Sequence, residues 1–91
     1  GRVAIYGAGF YGVYIYSMLS DKDRVACFID RSPYLQGKMM LGVPVLPAEA
    51  IPDSIDTIFI GLNPKTATAA LTSIAERVGK GIALIPLPPS T

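Results

Sequence analysis

The hydrophobic pattern of the chain consists of short apolar runs separated by turn residues. Contiguous apolar positions predict buried strands at Arg2 to Tyr6, Arg24 to Ile29, Ile55 to Gly61 and Ile82 to Ile85. A short edge strand is predicted at Val43 to Leu46, since proline is tolerated at the edge of a sheet. Strands that are apolar without alternation are typical of a parallel sheet covered on both faces.

Two helices are predicted between these strands. The first runs from about Phe10 to Ser20, where apolar residues recur at helical spacing, and the polar segment DKD follows it. The second begins at Asn63 and Pro64, a favoured cap and a favoured first position, and ends at Gly79. A single helical turn is predicted at Pro47 to Ile51, in a stretch otherwise rich in turn residues.

The alternation of strands and helices predicts an α/β fold. We expect a small doubly wound parallel sheet in three layers, α/β/α, with the strand order 3-2-1-4-5, because right-handed crossovers allow few arrangements. Residues 1–86 are predicted to form one domain and residues 87–91 a linker or tail. The chain opens directly on a strand without an initiating Met, so we expect the domain to belong to a longer protein.

Three glycines follow the first strand in the spacing G-x-G-x-x-G, in the stretch IYGAGFYGVYI. Asp30 ends the second strand and lies 18 residues after Gly12, close to the spacing of a dinucleotide-binding fingerprint. In that fingerprint Gly7 permits the tight turn, Gly9 lets a pyrophosphate approach the backbone, and Gly12 lets the helix pack closely on the sheet. The sequence therefore predicts a phosphate-binding turn.

The residues around this turn predict how a nucleotide is held. The N–H groups of Phe10 and Tyr11 would face the anion at the positive end of the helix, and Asp30 would accept hydrogen bonds from ribose hydroxyls. Arg31 would pair with a 2′-phosphate or would be solvated. The Asp30 carboxylate would repel such a phosphate, which favours NAD or a plain nucleotide over NADP. The alternative is that the glycines only shape the corner and Asp30 only begins a turn.

A second contact is predicted where the strand order reverses, because open α/β sheets bind ligands there. Gly61 and Asn63 follow the third full strand, which is expected to lie beside the first. Asn63 is expected chiefly to cap its helix, with contact to the ligand as an additional role.

Composition narrows the classes of function. The net charge of +1 is too small to indicate a nucleic acid or an anionic membrane as partner, and no apolar run approaches the ~20 residues of a membrane span. The absence of histidine removes the commonest general base and metal ligand, so no metal site is expected. A single Cys27 in an apolar run predicts a buried thiol and suits the cytoplasm. No catalytic residue is predicted, because the Tyr34-x-x-x-Lys38 spacing falls in a turn-rich loop.

The segments IYGAGFYG, FIDRSPYLQGK and LGVPVLP together resemble small Rossmann-like domains of sugar-nucleotide and polysaccharide biosynthesis. Similar domains begin capsular-polysaccharide nucleotide-sugar epimerase/dehydratases and sugar O- and N-acyltransferases, and end certain sugar C-methyltransferases. The resemblance covers about residues 3–86 and implies ligand-binding roles for Gly7, Gly9, Gly12 and Asp30. The acyltransferases hold a UDP-sugar and carry a histidine near the turn; this chain has no histidine, which argues against acyl transfer.

The sequence thus predicts a nucleotide-binding module of a larger sugar-nucleotide or polysaccharide biosynthesis enzyme, working with additional domains of the same chain. NAD(H), a UDP-sugar and CoA remain open as ligands. One alternative is an NAD-dependent sugar dehydrogenase or epimerase whose catalytic domain lies elsewhere, so the parent activity can be that of an oxidoreductase, epimerase/dehydratase or transferase. Another is an interaction module with an empty site, in which exposed tyrosines and residues 39–41 form an interdomain or homodimer surface.

Overall fold

A computed structural model of the chain describes residues 2–62, 72, 74, 75 and 81–86. Its elements are β1 (Arg2–Tyr6), α1 (Phe10–Met18), β2 (Val25–Ile29), β3 (Met39–Met40), β4 (Val43–Leu46), β5 (Ile55–Ile60) and β6 (Ala83–Pro86). Short 3₁₀ turns lie at Lys22–Arg24 and Ala48–Ala50. Thr72, Ile74 and Ala75 are helical, as predicted; the rest of the predicted second helix, from Asn63 to Gly79, and the predicted tail lie outside the described residues.

The strands form one sheet in the order β3-β4-β2-β1-β5-β6. β4, β2, β1, β5 and β6 pair in parallel, while β3 pairs antiparallel with the outer side of β4. The predicted α/β fold with a doubly wound sheet is therefore confirmed, and the strand order differs at one edge. β3 was not predicted. Because it pairs with the outer side of β4, β4 is an inner strand and not the edge strand that its proline suggested.

A tight hairpin accounts for the additional strand. Leu41 and Gly42 connect β3 to β4, and both have positive φ angles, 52° and 82°. Two consecutive residues with positive φ are typical of the type I′ turn that joins antiparallel strands. β3 has only two residues, which is too short for a hydrophobic pattern to predict it from the sequence.

The core lies on both faces of the sheet. On one face, Ile15 of α1 packs with residues of β1, β2 and β4; this cluster contains Ile5, Ala8, Ile15, Val25, Phe28 and Val45. On the other face, Ile74 packs with Ala4, Tyr6, Cys27, Ile29, Ile55, Ile58 and Ile60. Helical residues thus cover each face, in agreement with the predicted three layers. Among the described residues, no helix is both long and apolar enough to cross a membrane.

α1 ends at Met18, two residues earlier than predicted. Leu19 is extended, with ψ 132°, and its N–H donates to the carbonyl oxygen of Tyr16 at 3.2 Å. The half-buried Leu19 side chain packs against the cluster that contains Ile15. The helix therefore stops where its last apolar residue leaves the helical path and packs on the sheet.

Candidate functional site

The glycine turn lies between the carboxyl ends of three neighbouring strands. The Gly7 N–H donates to the carbonyl oxygen of Ile29 in β2 at 2.6 Å. The Gly61 N–H, just after β5, donates to the carbonyl oxygen of Tyr6 in β1 at 2.7 Å. These bonds continue the parallel pairing past the strand ends, so the turn is held at the point where the strand order reverses.

Three glycines pack against one another on the inner side of this turn. Gly7 has φ +100°, a conformation that side chains disfavour, and a Cβ there would lie 2.7 Å from the Gly61 carbonyl oxygen. A Cβ on Gly12 would lie 1.8 Å from the Gly7 carbonyl oxygen, and one on Gly61 would lie 2.7 Å from Gly12 Cα. The fold itself therefore requires glycine at these three positions.

Gly9 differs from its neighbours. Its φ of −102° is accessible to any residue, and a Cβ built there has no heavy atom within 4 Å. Gly9 is also exposed. Nothing in the described part of the fold therefore requires glycine at this position, and its missing side chain leaves open space beside the start of α1.

The open space faces the amino-terminal end of α1. The first hydrogen bond of the helix runs from the Val13 N–H to the Gly9 carbonyl oxygen at 3.0 Å, and Gly9 makes no side-chain cap. The first N–H groups of a helix, here those of Phe10 and Tyr11, have no partner within it. α1 carries no acidic residue in its first turn, so no carboxylate of its own offsets the positive end of the helix dipole.

Asp30 links the glycine turn to the loop that follows β2. One carboxylate oxygen accepts the Ala8 N–H at 2.8 Å, and the other accepts the Ser32 N–H, also at 2.8 Å. The Asp30 N–H in turn donates to the carbonyl oxygen of Leu46 in β4 at 3.1 Å. A carboxylate has about four acceptor positions, so roughly two remain for other donors. Asp30 therefore does begin a turn, and that role leaves acceptor capacity unused.

A cavity of about 210 Å³ opens beside this carboxylate. It is lined by residues of β1, the loop after β2 and the turn after β4, and by one helical residue. These residues are Tyr6, Asp30, Arg31, Gln36, Ala48, Glu49 and Ile74. Gln36 donates its side-chain N–H to the Asp30 carbonyl oxygen at 2.8 Å and so fixes the rim. No sequence pattern predicted Ala48 or Glu49 at the site, and only the QGK segment pointed to Gln36.

The predicted site residues fall into three groups. Gly7, Gly9, Gly12, Asp30 and Gly61 come together at the carboxyl edge of the sheet, as does the start of α1 at Phe10 and Tyr11. Arg31 is exposed at the cavity and makes no hydrogen bond or ion pair with the described residues. Asn63 lies outside the described residues, so its two predicted roles stay predictions.

The remaining candidate groups are a tyrosine in the loop after β2 and the single cysteine. Tyr34 is exposed and, with the rest of residues 33–37, lies in a turn and not on a helix. Cys27 is fully buried in β2, and its burial raises the pKa of the thiol to about 11, partly offset by the positive charge of Arg2. Within the part of the chain that the structure describes, no cluster of three or more histidine, cysteine or acidic side chains is arranged to hold a metal ion.

Comparison with known proteins identifies the fold. No protein-family model matches the chain, and no curated protein sequence matches it. Among solved structures, it is similar to UDP-D-quinovosamine 4-dehydrogenase from Vibrio fischeri, with a TM-score of 0.73 and 20% identity over 98% of this chain and 79% of that one. It is also similar to RSP, a Rex-family repressor, with a TM-score of 0.67 and 18% identity over 94% and 52% of the two chains.

RSP in complex with β-NADH gives a TM-score of 0.69 at 18% identity, over 98% of this chain and 54% of that chain. This chain therefore spans about half the length of the repressor chains. The predicted fold is confirmed: the chain has the Rossmann-like fold that these neighbours share.

Proposed function

We propose that the chain is a nucleotide-binding module whose ligand is NAD(H). The observation that carries this proposal is the contrast at Gly9, where glycine is present although nothing in the described fold requires it. A side chain at this position would occupy the space through which a pyrophosphate reaches the N–H groups of Phe10 and Tyr11. The solved neighbour that is complexed with β-NADH supports the same ligand class.

Each predicted residue has a defined task in this proposal. The first N–H groups of α1 bind the pyrophosphate, at the positive end of the helix dipole. Asp30 uses its remaining acceptor positions for ribose hydroxyls, while its bonds to Ala8 and Ser32 hold the carboxylate in place. Gly61 and Asn63, which follow β5 in the sequence, are proposed to close the site, in addition to the predicted capping role of Asn63.

The charges around the ribose position favour NAD(H) over NADP(H). The Asp30 carboxylate is half-buried and lies against the glycine turn, where a 2′-phosphate would meet a like charge. Arg31 is exposed, and its long side chain lies in solvent at the cavity rim. An exposed arginine gives little compensation for bringing a phosphate next to a fixed carboxylate.

The parent protein is proposed to act on activated sugars in the cytoplasm. The resemblance to domains of sugar-nucleotide and polysaccharide biosynthesis supports this role, as does the structural similarity to a UDP-D-quinovosamine 4-dehydrogenase. Hydride chemistry is supplied by a bound nicotinamide cofactor, so this domain needs only to bind and orient it. A UDP-sugar as the ligand of the turn itself is the second candidate, favoured by the same resemblance.

Titration calorimetry with NADH, NAD⁺, NADP⁺, CoA and UDP-glucose tests the proposal. We expect binding of NADH and NAD⁺, with NADP⁺ at least tenfold weaker because of the Asp30 carboxylate. Binding of UDP-glucose alone would overturn NAD(H) in favour of the second candidate. The binding function would be overturned if none of the five ligands gave heat and the fluorescence of NADH did not change when the chain was added.

A graded pair of substitutions at one position tests where the ligand binds. We expect Gly9→Val to weaken NADH binding at least tenfold, and Gly9→Ala to weaken it less, because the space available to the pyrophosphate shrinks stepwise. The free energy of unfolding, measured in urea, should fall by about 1 kcal/mol or less in both variants, which is the usual cost of losing a favourable cap residue. Unchanged NADH affinity in Gly9→Val would show that the ligand binds elsewhere.

A further inference from the structure

The outer face of α1 carries a stripe of exposed apolar side chains. Phe10, Val13, Tyr14 and Met18 have exposed fractions of 81, 38, 49 and 68%. Their spacing of i, i+3, i+4 and i+8 places them along one face of the helix. We call these four residues the outer stripe.

The opposite face of the same helix is buried. Gly12 and Ile15 are the buried residues of α1, and they face the glycine turn and the sheet. α1 contains no charged residue at all. A helix that is apolar all round is normally buried on every side. The outer stripe therefore has the composition of a covered surface, yet the described part of the chain leaves it open.

The hairpin of β3 and β4 lies beside α1 and carries two more exposed apolar side chains. Met39 is 66% exposed and Leu41 is 50% exposed. Leu41 lies beside α1, because its carbonyl oxygen accepts a weak hydrogen bond from the Tyr16 hydroxyl at 3.5 Å. At about 150 to 250 Å² for a fully exposed large side chain, these two residues and the outer stripe present roughly 500 to 900 Å² per copy. Patches of this size on single chains commonly mark interfaces.

Ser17 also lies on this side of α1, and its hydroxyl already has a hydrogen-bond partner. Its hydroxyl donates to the carbonyl oxygen of Tyr14, one turn earlier, at 2.6 Å. A serine bonded to its own helix can be covered without leaving an unsatisfied donor. Covering the outer stripe therefore carries no penalty from a buried unpaired donor at Ser17.

We propose that the outer stripe is a homodimer interface, in which α1 packs against α1 of a second copy of this chain. The stripe is self-complementary: Phe10 and Met18 lie at its two ends, about 12 Å apart along the helix, and Tyr14 lies midway. An antiparallel pair related by a two-fold axis at Tyr14 therefore places Phe10 of each copy beside Met18 of its partner. Such isologous contacts are the commonest way in which identical chains pair.

The area supports a second copy as the occupant. A stable dimer of standard size buries about 800 Å² on each partner, and the smallest specific interfaces bury about 600 Å². The exposed apolar area of the stripe and the hairpin together, roughly 500 to 900 Å² per copy, brackets these two values. Since α1 carries no charge, pairing it with itself brings no like charges together.

Sedimentation equilibrium of the full 91-residue chain tests the proposal at concentrations from 1 µM to 500 µM. We expect twice the monomer mass of 9.6 kDa at the upper concentrations. Tyr14→Glu should raise the dissociation constant at least tenfold, because two carboxylates would meet at the two-fold axis. Tyr34→Glu is the matched control: Tyr34 is 81% exposed, lies outside the stripe, and should leave dimerisation unchanged.

A cysteine placed at the centre of the stripe tests its geometry. Cys27 is fully buried, so a Tyr14→Cys variant offers one accessible thiol per chain among the described residues. We expect mild oxidation to link most Tyr14→Cys chains into dimers and to link few Tyr34→Cys chains. A chain that stays monomeric at 500 µM would overturn the proposal and assign the stripe to another domain of a longer polypeptide. A dimer unaffected by Tyr14→Glu would also overturn it.

Discussion

The inner and the outer side of the glycine turn are built to different requirements. On the inner side, a Cβ on Gly7, Gly12 or Gly61 would collide with backbone atoms, at 1.8 to 2.7 Å. On the outer side, a Cβ on Gly9 would meet nothing within 4 Å. One sequence motif thus combines residues that the fold needs with a residue that packing in the described fold does not require. The comparison shows that the corner itself accounts for Gly7 and Gly12, whereas the proposed binding function rests on Gly9.

The largest expected effect is on the free energy of unfolding, when glycine is replaced by alanine on the inner side and, for comparison, on the outer side. Gly12→Ala should lower the free energy of unfolding by at least about 3 kcal/mol, because a methyl group 1.8 Å from the Gly7 carbonyl oxygen forces the backbone to move. Gly9→Ala should lower it by about 1 kcal/mol or less. Urea unfolding followed by circular dichroism measures both. Equal losses in the two variants would remove the distinction between the sides.

Asp30 joins the two sides, and its replacement should have an intermediate effect. Asp30→Asn offers one acceptor oxygen where the carboxylate offers two, so either the Ala8 or the Ser32 N–H loses its partner. We expect a loss of about 1 to 3 kcal/mol in the free energy of unfolding. The exposed acid Asp53 supplies the control, since Asp53→Asn should change stability by about 0.5 kcal/mol or less. A neutral Asp30→Asn would show that the two N–H groups find other partners.

A smaller effect reports on the core beneath the turn. Burial raises the pKa of the Cys27 thiol from about 9 to about 11, so the folded chain keeps a proton that the unfolded chain releases. This contribution is complete below pH 9 and is lost as the pH rises toward 11. Between pH 8 and pH 10, the wild type should lose about 1.3 kcal/mol more stability than Cys27→Ala. An equal loss in both proteins would show that the thiol is not protected.

The same thiol distinguishes the two kinds of glycine. Because Cys27 is fully buried, its reaction with a thiol reagent requires opening of the sheet. Gly9→Val should therefore leave the labelling rate close to that of the wild type, whereas Gly12→Ala should raise it strongly.

The sequence predicts the sheet well because its central strands are buried on both faces. β1 is apolar after Arg2, β2 is apolar throughout, and β5 is apolar from Ile58 onward; the bounds of all three agree with the prediction to within one residue. Such runs need no long-range information. β3 was not predicted because two residues carry no period, and its pairing depends on the turn at Leu41 and Gly42.

The sequence predicted several of the residues that lie at the candidate site, but it did not predict the hydrogen bonds between them. The spacing from Gly12 to Asp30 places both at one edge of the sheet, since parallel strands end at the same edge. The bond from Ala8 to Asp30 joins residues 22 positions apart and leaves no mark in the local sequence. The same holds for the cavity, to which Gln36, Ala48 and Ile74 come from separate segments. Prediction therefore failed where tertiary packing alone brings the groups together.

The open space beside Gly9 also bears on how related chains diverge. Substitution of Gly12 is opposed by the requirement to fold, whether or not the domain still binds anything. Substitution of Gly9 should cost the fold little, so under the proposed function the ligand is the main reason for glycine at this position. In descendants that lost the ligand, Gly9 should drift to other residues while Gly7 and Gly12 persist. The residue at this one position would then indicate, for each related chain, whether the domain still binds its ligand.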